Sequence, residues 1–192
     1  MNKLYDIMVD LETLDTIASA AIVAIGAAQC NLVTGEIGST FYRVVDLEGQ
    51  LEAGMTLNPK TLYWWLQQSN EAREAITVEG KISLMDMCTK FAEWLHSIDP
   101  SGEKLRLWSN GASFDIPILT YAYNKCAQEL PVKFWNQRDQ RTVLGFYPPR
   151  LQEDYRRNNL RTGTHHNALD DCKHQIRYCA HILEELGVKE LY

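Results

Sequence analysis

The segment 18–30 is the strongest constraint on what this chain can fold into. It is rich in Ala, Ile and Val and shows no apolar-polar alternation, so as a strand it would be buried on both faces. Two strand-like stretches flank it: residues 4–9, and residues 40–45 beyond a Thr34-Gly35-Glu36 turn. Three consecutive strands form a β-meander, and one whose middle strand is apolar on both sides belongs at the centre of a sheet covered on both faces. Helices must supply that cover, which predicts an α/β fold. At 192 residues the chain is long enough for one such domain and short for two, so residues 1–192 are read as a single domain.

Helical patterns follow. Pro59 suits a first helical turn, and residues 61–69 carry Leu62, Trp65 and Leu66 at helical spacing; the adjacent Trp64 and Trp65 cannot both face one core. Ser83 reads as a cap before a cleaner helix, in which Leu84, Met87, Cys88, Phe91, Leu95 and Ile98 recur at steps of three and four. Residues 104–108 read as a short strand feeding a Gly-containing turn from Ser109 to Asp115 and then a helix, with Pro117 near its start. Residues 131–164 are broken by Pro148-Pro149, Asn158-Asn159 and Gly163, which predicts loop apart from a short helix at 142–146. The clearest helix is 167–186, with a stripe of Leu169, Cys172, Ile176, Cys179, Leu183 and Leu186.

Composition narrows the function. A formal charge of −6 excludes a protein that coats nucleic acid non-specifically, yet residues 133–161 hold seven basic residues against three acidic ones, enough for a local phosphate-binding edge. Five cysteines without a Cys-x-x-Cys pair argue against a disulfide framework and a zinc knuckle, and predict buried thiols. No apolar run reaches membrane-spanning length and the N-terminus does not resemble a secretory leader, so a cytoplasmic protein with no membrane partner is expected.

Against this ordinary background Asp10 and Glu12 stand out. They follow the apolar strand 4–9, where a turn over residues 10–16 is expected, and lie two residues apart. On a strand they point the same way, about 7 Å apart, while Leu11 points into a core. Two carboxylates so placed raise one another's pKa unless a cation neutralises them, so a divalent metal site is the natural reading. Asp115, in the first turn of its helix, gains from the positive end of the helix dipole. Of the adjacent Asp170 and Asp171, the first shares its helical face with Lys173, His174, Arg177 and His181 and is expected on the solvent side. The second shares its flank with Ala168, Gln175, Tyr178 and Ile182, where a carboxylate can be partly buried.

Taken together, Asp10-x-Glu12, Asn110-x-x-x-Phe114-Asp115 and His166-x-Ala168-x-x-Asp171 resemble, in order, spacing and setting, the DEDDh exonucleases of the ribonuclease H-like superfamily. The resemblance covers nearly the whole chain. Residues 61–66 and Asp139-Gln140-Arg141-Thr142 look like the RNase AS-type branch of bacteria and phages. The resemblance implies a central mixed β-sheet with helices on both faces, and two Mg²⁺ or Mn²⁺ ions held by Asp10, Glu12, Asp115 and Asp171. It implies His166 as the general base; Ala168 two residues later and the helix-face argument select it over His165. Substrate contacts are implied for Leu11, Thr13, Leu14, Asn110, Phe114, Trp64 and Arg141, with Leu14 as an apolar wedge under the terminal base.

The activity so implied is 3′-to-5′ hydrolysis of single-stranded nucleic acid to nucleoside monophosphates, with RNA slightly favoured over DNA and the enzyme acting as a homodimer. Three alternatives stay open: a single-stranded DNA exonuclease of repair or phage DNA metabolism, an exonuclease domain serving a larger assembly, and a catalytically silent nucleic-acid binding module. The last would be marked by a lost acid or histidine, and all five positions are present.

Overall fold

A computed structural model describes residues 4–78, 80–111, 113–158 and 161–191. Ala112 of the Ser109 to Asp115 turn and Asn159 of the expected break lie outside them. The chain opens with the meander: β1 (Asp6–Thr13), β2 (Ile22–Cys30) and β3 (Ile37–Val44). A short α1 (Glu48–Glu52), α2 (Pro59–Leu66), α3 (Asn70–Thr77) and α4 (Leu84–Ile98) follow, then β4 (Arg106–Ser109) and α5 (Asp115–Lys125). After a 3₁₀ turn over Phe134–Asn136 come β5 (Gln137–Asp139), α6 (Gln140–Gly145), α7 (Pro149–Asn158) and α8 (Ala168–Glu185).

The five strands form one mixed sheet in the order β3-β2-β1-β4-β5. The meander pairs are antiparallel, whereas β4 and β5 add parallel to β1. The doubly buried β2 is therefore internal, and the central strand is β1. A bidentate Arg106–Asp6 pair, with Nε to Oδ1 at 2.9 Å, and the Trp108 Nε1 donor to the same oxygen at 2.8 Å fasten the parallel β1–β4 register.

Alternation along β1 sorts the two cores. Ile7, Val9 and Leu11 pack with Leu84, Met87, Phe91 and Leu95 of α4 and with Ile118 and Leu119 of α5. Met8 points the other way, to Cys172, Ile176 and Cys179 of α8. Asp10 and Glu12 continue the Met8 face toward the start of α8. On β2 the α8 side is lined by Ala24, Gly26 and Ala28, small residues that let the helix approach the sheet. The five cysteines are free and buried.

Several local expectations are corrected. β1 does not turn after Val9 but pairs with β2 through Thr13, with a register shift between Glu12 and Thr13, so both acids are held by the sheet. Residues 131–164 contain β5 and α7 as well as the short helix. Pro149 is the first residue of α7, where its missing N–H costs little, and Tyr155 anchors the helix by stacking on Tyr178 with centroids 4.5 Å apart. In α2 only Trp65 is buried, with Leu62 and Leu66 exposed, and Leu186 lies outside the buried stripe of α8. The Ser83 cap and the stripe of α4 are as the sequence predicts: Ser83 Oγ accepts from Asp86 N, and all six apolar positions are buried.

Candidate active site

The carboxyl ends of β1 and β4 and the start of α8 converge on a cleft of about 520 Å³. Asp10, Glu12, Asp115, His166 and Asp171 all line it, so every acid and the histidine singled out from the sequence meet in one place. Ligand-capable atoms of Glu12, His166 and Asp171 lie within 4.8 Å of one another. β1 supplies Asp10 and Glu12. The first turn of α5 supplies Asp115, whose Oδ1 accepts the Leu11 N–H at 3.0 Å and so ties the helix to the strand. Asn167 caps α8 by accepting from Leu169 and Asp170, and Asp171 follows on the buried flank. His166 has a left-handed backbone, φ 63°, which non-glycine residues adopt chiefly where surrounding structure enforces it.

Electrostatics follow from crowding acids in a buried place. Burial pushes the Asp10 carboxyl well above its ordinary range, and the Asp115 and Glu12 charges push it further, against the Gln175 amide, whose Nε2 donates to Asp10 Oδ1 at 2.7 Å. Burial, then the Asp115 charge, raises Glu12 to about 8. Asp115 is raised to about 6: its desolvation outweighs the Leu11 N–H and the Arg141 charge, and so overrides the helix-dipole effect expected from sequence. His166 is lowered to about 4, by burial first and then by His165 and Arg161, and so is neutral near pH 7.

Cation binding fits this arrangement. Four carboxylates face two guanidiniums, Arg141 and Arg161, across the cleft, and Glu12 Oε1 is buried with no hydrogen-bond partner among the described residues. The Arg161 guanidinium reaches in to pair with Asp171. An oxygen-rich donor set of this kind suits a hard divalent ion better than zinc.

Of the expected substrate contacts, Leu11, Asn110, Phe114 and Arg141 line the cleft. Leu11, Thr13, Trp64 and Phe114 line an adjoining, mostly apolar pocket of about 440 Å³. Trp64 is half-exposed and meets His166 edge-on, centroids 4.8 Å apart, while Trp65 is buried and donates Nε1 to Thr13 O at 2.9 Å. Leu14 is not part of either lining; it is buried with Val23, Trp65 and Ala72. Asp170 is less open than expected, because its Oδ2 accepts the Thr164 N–H at 2.9 Å and holds the loop that carries His166. Sequence reasoning did not single out Gln175 or Arg161. The first had a signal, its place one turn after Asp171 on the same flank, whereas Arg161 appeared only as one charge of a basic segment.

A mixed five-stranded sheet with these acids at its strand ends is the ribonuclease H-like fold of the DEDDh exonucleases. The nuclease domain of 3′hExo, a DEDDh family member bound to rAMP, superposes with a TM-score of 0.67 and 18% identity, covering 100% of this chain and 97% of that one. The S. pombe protein Pop2p in its Mg²⁺- and Mn²⁺-bound form also reaches 0.67, at 15% identity, over 98% of this chain and 86% of its own. The chain belongs to the 3′-5′ exoribonuclease Rv2179c-like domain family, whose model matches residues 5–183. It is also 31% identical to a protein of Enterobacteria phage T4 named exodeoxyribonuclease, over 73% of this chain and 71% of that one. The protein is thus a 3′-5′ exonuclease. Among the described residues no helix is long and apolar enough to cross a membrane.

Proposed function

We propose that the enzyme shortens single-stranded RNA from its 3′ end, releasing nucleoside 5′-monophosphates, with Asp10, Glu12, Asp115, His166 and Asp171 as its catalytic residues. The observation that carries this reading is the convergence of all five side chains on one cleft that opens beside an aromatic pocket. Asp10, Glu12 and Asp171 would hold one Mg²⁺ or Mn²⁺ and Asp10 with Asp115 a second. When bound, such ions stabilise charge on the attacking and departing oxygens of a phosphodiester. His166, neutral at working pH, takes the proton of the attacking water on its ring nitrogen. Trp64 and Phe114 flank the terminal base, Leu11 and Thr13 lie along its nucleoside, and Arg141 and Asn110 meet the phosphate side of the cleft.

The chemistry does not itself need a 2′-hydroxyl, so sugar preference must come from groups that reach the ribose, a role assigned in this proposal to the β1 backbone from Leu11 to Thr13 with the Glu12 carboxylate. The family's description as exoribonuclease favours RNA, whereas the phage relative's name keeps single-stranded DNA as the competing substrate. Duplex ends would be poor substrates, because the terminal nucleotide must unstack to enter. Matched oligonucleotides differing only in sugar, digested with Mg²⁺ and again with Mn²⁺, decide between them; equal or faster DNA cleavage overturns the RNA preference.

Homodimer formation belongs to the same proposal. It is supported by an exposed aromatic pair, Phe134 and Trp135, within the basic 133–161 segment. A monomer by sedimentation at micromolar concentration would refute it.

A further inference from the structure

Beside the catalytic cleft lies a second, open cavity, also of about 520 Å³, bordered by α6, α7, α8 and Asn110. Gln140, Arg141, Arg156, His174, Gln175 and Tyr178 line it, and Asn110, Arg141, His174 and Gln175 belong to the walls of both cavities, so the two are continuous. No carboxylate is among the lining residues of this second cavity, whereas the guanidiniums of Arg141, which also faces the acids of the cleft, and Arg156 both are.

Three buried polar atoms of this lining have no hydrogen-bond partner among the described residues: Gln140 Oε1, Gln175 Oε1 and Tyr178 OH. The residues that carry them are 2%, 5% and 5% exposed, so these atoms are orphaned by burial rather than left on an open surface. The Gln175 amide is pinned by its Nε2 donation to Asp10 Oδ1, which fixes Oε1 as the end turned away from the carboxylate. Gln140 Nε2 likewise reaches Gln175 O at 3.5 Å, leaving its oxygen unused.

Two carbonyl acceptors want N–H or O–H donors, a phenol takes either role, and two guanidiniums want an anion. Phosphate oxygens satisfy the guanidiniums and can accept from the phenol but leave the two amide carbonyls without a donor, and a metal ion is refused by the positive charge. A nucleotide offers all of these in one unit: phosphate oxygens with sugar hydroxyls or base amino groups.

We propose that this cavity is a second nucleotide subsite, which receives the nucleotide on the 5′ side of the scissile phosphate. Arg141 serves both chambers from their shared wall, and Arg156 draws in the next phosphate upstream. The proposal rests on the exonuclease reading of the cleft, and makes affinity for the chain depend on residues remote from the reacting phosphorus.

The test compares two substrates under Mg²⁺ or Mn²⁺. One is a tetranucleotide; the other is the p-nitrophenyl ester of a nucleoside 5′-monophosphate, in which p-nitrophenolate replaces everything upstream. Three variants are measured: Arg156→Gln, on an exposed position; Tyr178→Phe, which keeps the ring stacked on Tyr155; and Gly145→Leu, which narrows the mouth of the cavity. A Cβ at Gly145 meets no atom within 4 Å, so the added side chain starts in open space. The expected result is a rise of about tenfold in KM for the tetranucleotide relative to the ester, with kcat little changed. An unchanged ratio in all three variants overturns the subsite alone. If the unmodified protein hydrolyses neither substrate, the reading of the cleft is overturned and the subsite with it.

Discussion

Gly26 of β2 lies directly under the first peptide of α8: a Cβ there would fall 2.3 Å from both the Ala168 carbonyl carbon and the Leu169 nitrogen. Gly26 is also the partner of Asp10 across the β1–β2 ladder, and its carbonyl accepts from Cys172 Sγ at 3.3 Å. One glycine therefore sets the distance between the strand that carries Asp10 and Glu12 and the helix that carries Asp171. Gly26→Ala must move backbone, since no flexible side chain can yield. We expect a stability loss of about 1–3 kcal/mol. The rate should fall on the order of 100-fold, because small displacements of catalytic groups are costly. Gly49→Ala, at a position with nothing within 4 Å, serves as the control. Thermal melts and exonuclease rates of the two variants check this, and full activity in Gly26→Ala would contradict it.

The crowded acids predict an inverted pH response for the metal-free protein. Asp10, Glu12 and Asp115 all have folded-state pKa values above their ordinary ones, so the folded state holds their protons more tightly than the unfolded chain does. Their contribution is at its best below about pH 4 and is lost as pH rises through about 6 for Asp115 and about 8 for Glu12. In chelator, the melting temperature should fall by roughly 5 °C between pH 6.5 and pH 8.5, above the range in which the lowered His166 works in the opposite sense. Glu12→Gln should flatten that fall while removing most of the rise on adding Mn²⁺. A wild-type melting temperature that climbs over this range in chelator would refute the assignment of these acids to a cation site.

The two histidines should separate sharply. His166 reaches the Glu12 and Asp171 ligand atoms, whereas His165 is exposed and meets His166 ring to ring at 3.8 Å. His166→Ala is expected to lower kcat by about 10²–10⁴-fold, and His165→Ala by less than about tenfold. Since His166 is held near 4 by burial, its protonation should not slow the reaction between pH 8 and pH 6. A kcat profile with a histidine inflection near 6.5 in the wild type, lost in His166→Ala, would show that the ring is more accessible than the structure has it.

What the chain revealed before folding depended on whether a residue's role is local. The α4 stripe and the burial of Asp171 are periodicity arguments and the Ser83 cap is read from residue type at a helix start; each is met by its own helix, whereas the role of Asp171 as the functional acid belongs to the proposed site. α7 was hidden because its sequence is polar and opens on a double proline; what holds it is Tyr155 against Tyr178, a contact between segments that no local pattern encodes. Leu14 has the same lesson in reverse: its neighbours in sequence line the cleft, but the turn after Thr13 sends it under Trp65. For Asp115 the helix dipole can be read from the sequence, whereas the desolvation cost that outweighs it and raises the carboxyl cannot.

The adjacent tryptophans of α2 divide binding from stability, and their variants should do the same. Trp65 is buried at 3% exposure, and its Nε1 satisfies the carbonyl of Thr13 at the very end of β1, immediately after Glu12. Trp65→Phe keeps most of the apolar volume but strands that carbonyl, so it should cost about 1–3 kcal/mol and loosen the strand end that presents Glu12. Trp64 is 41% exposed on the lip of the apolar pocket, with its ring edge-on to His166. Trp64→Ala should leave the melting temperature within about 2 °C and raise KM for oligonucleotides by about tenfold, the effect of losing one stacked base. Paired melts and Michaelis curves for the two variants distinguish the roles. If Trp64→Ala destabilises the protein as much as Trp65→Phe while KM is unmoved, the apolar pocket is packing for the core and the terminal base must be held elsewhere.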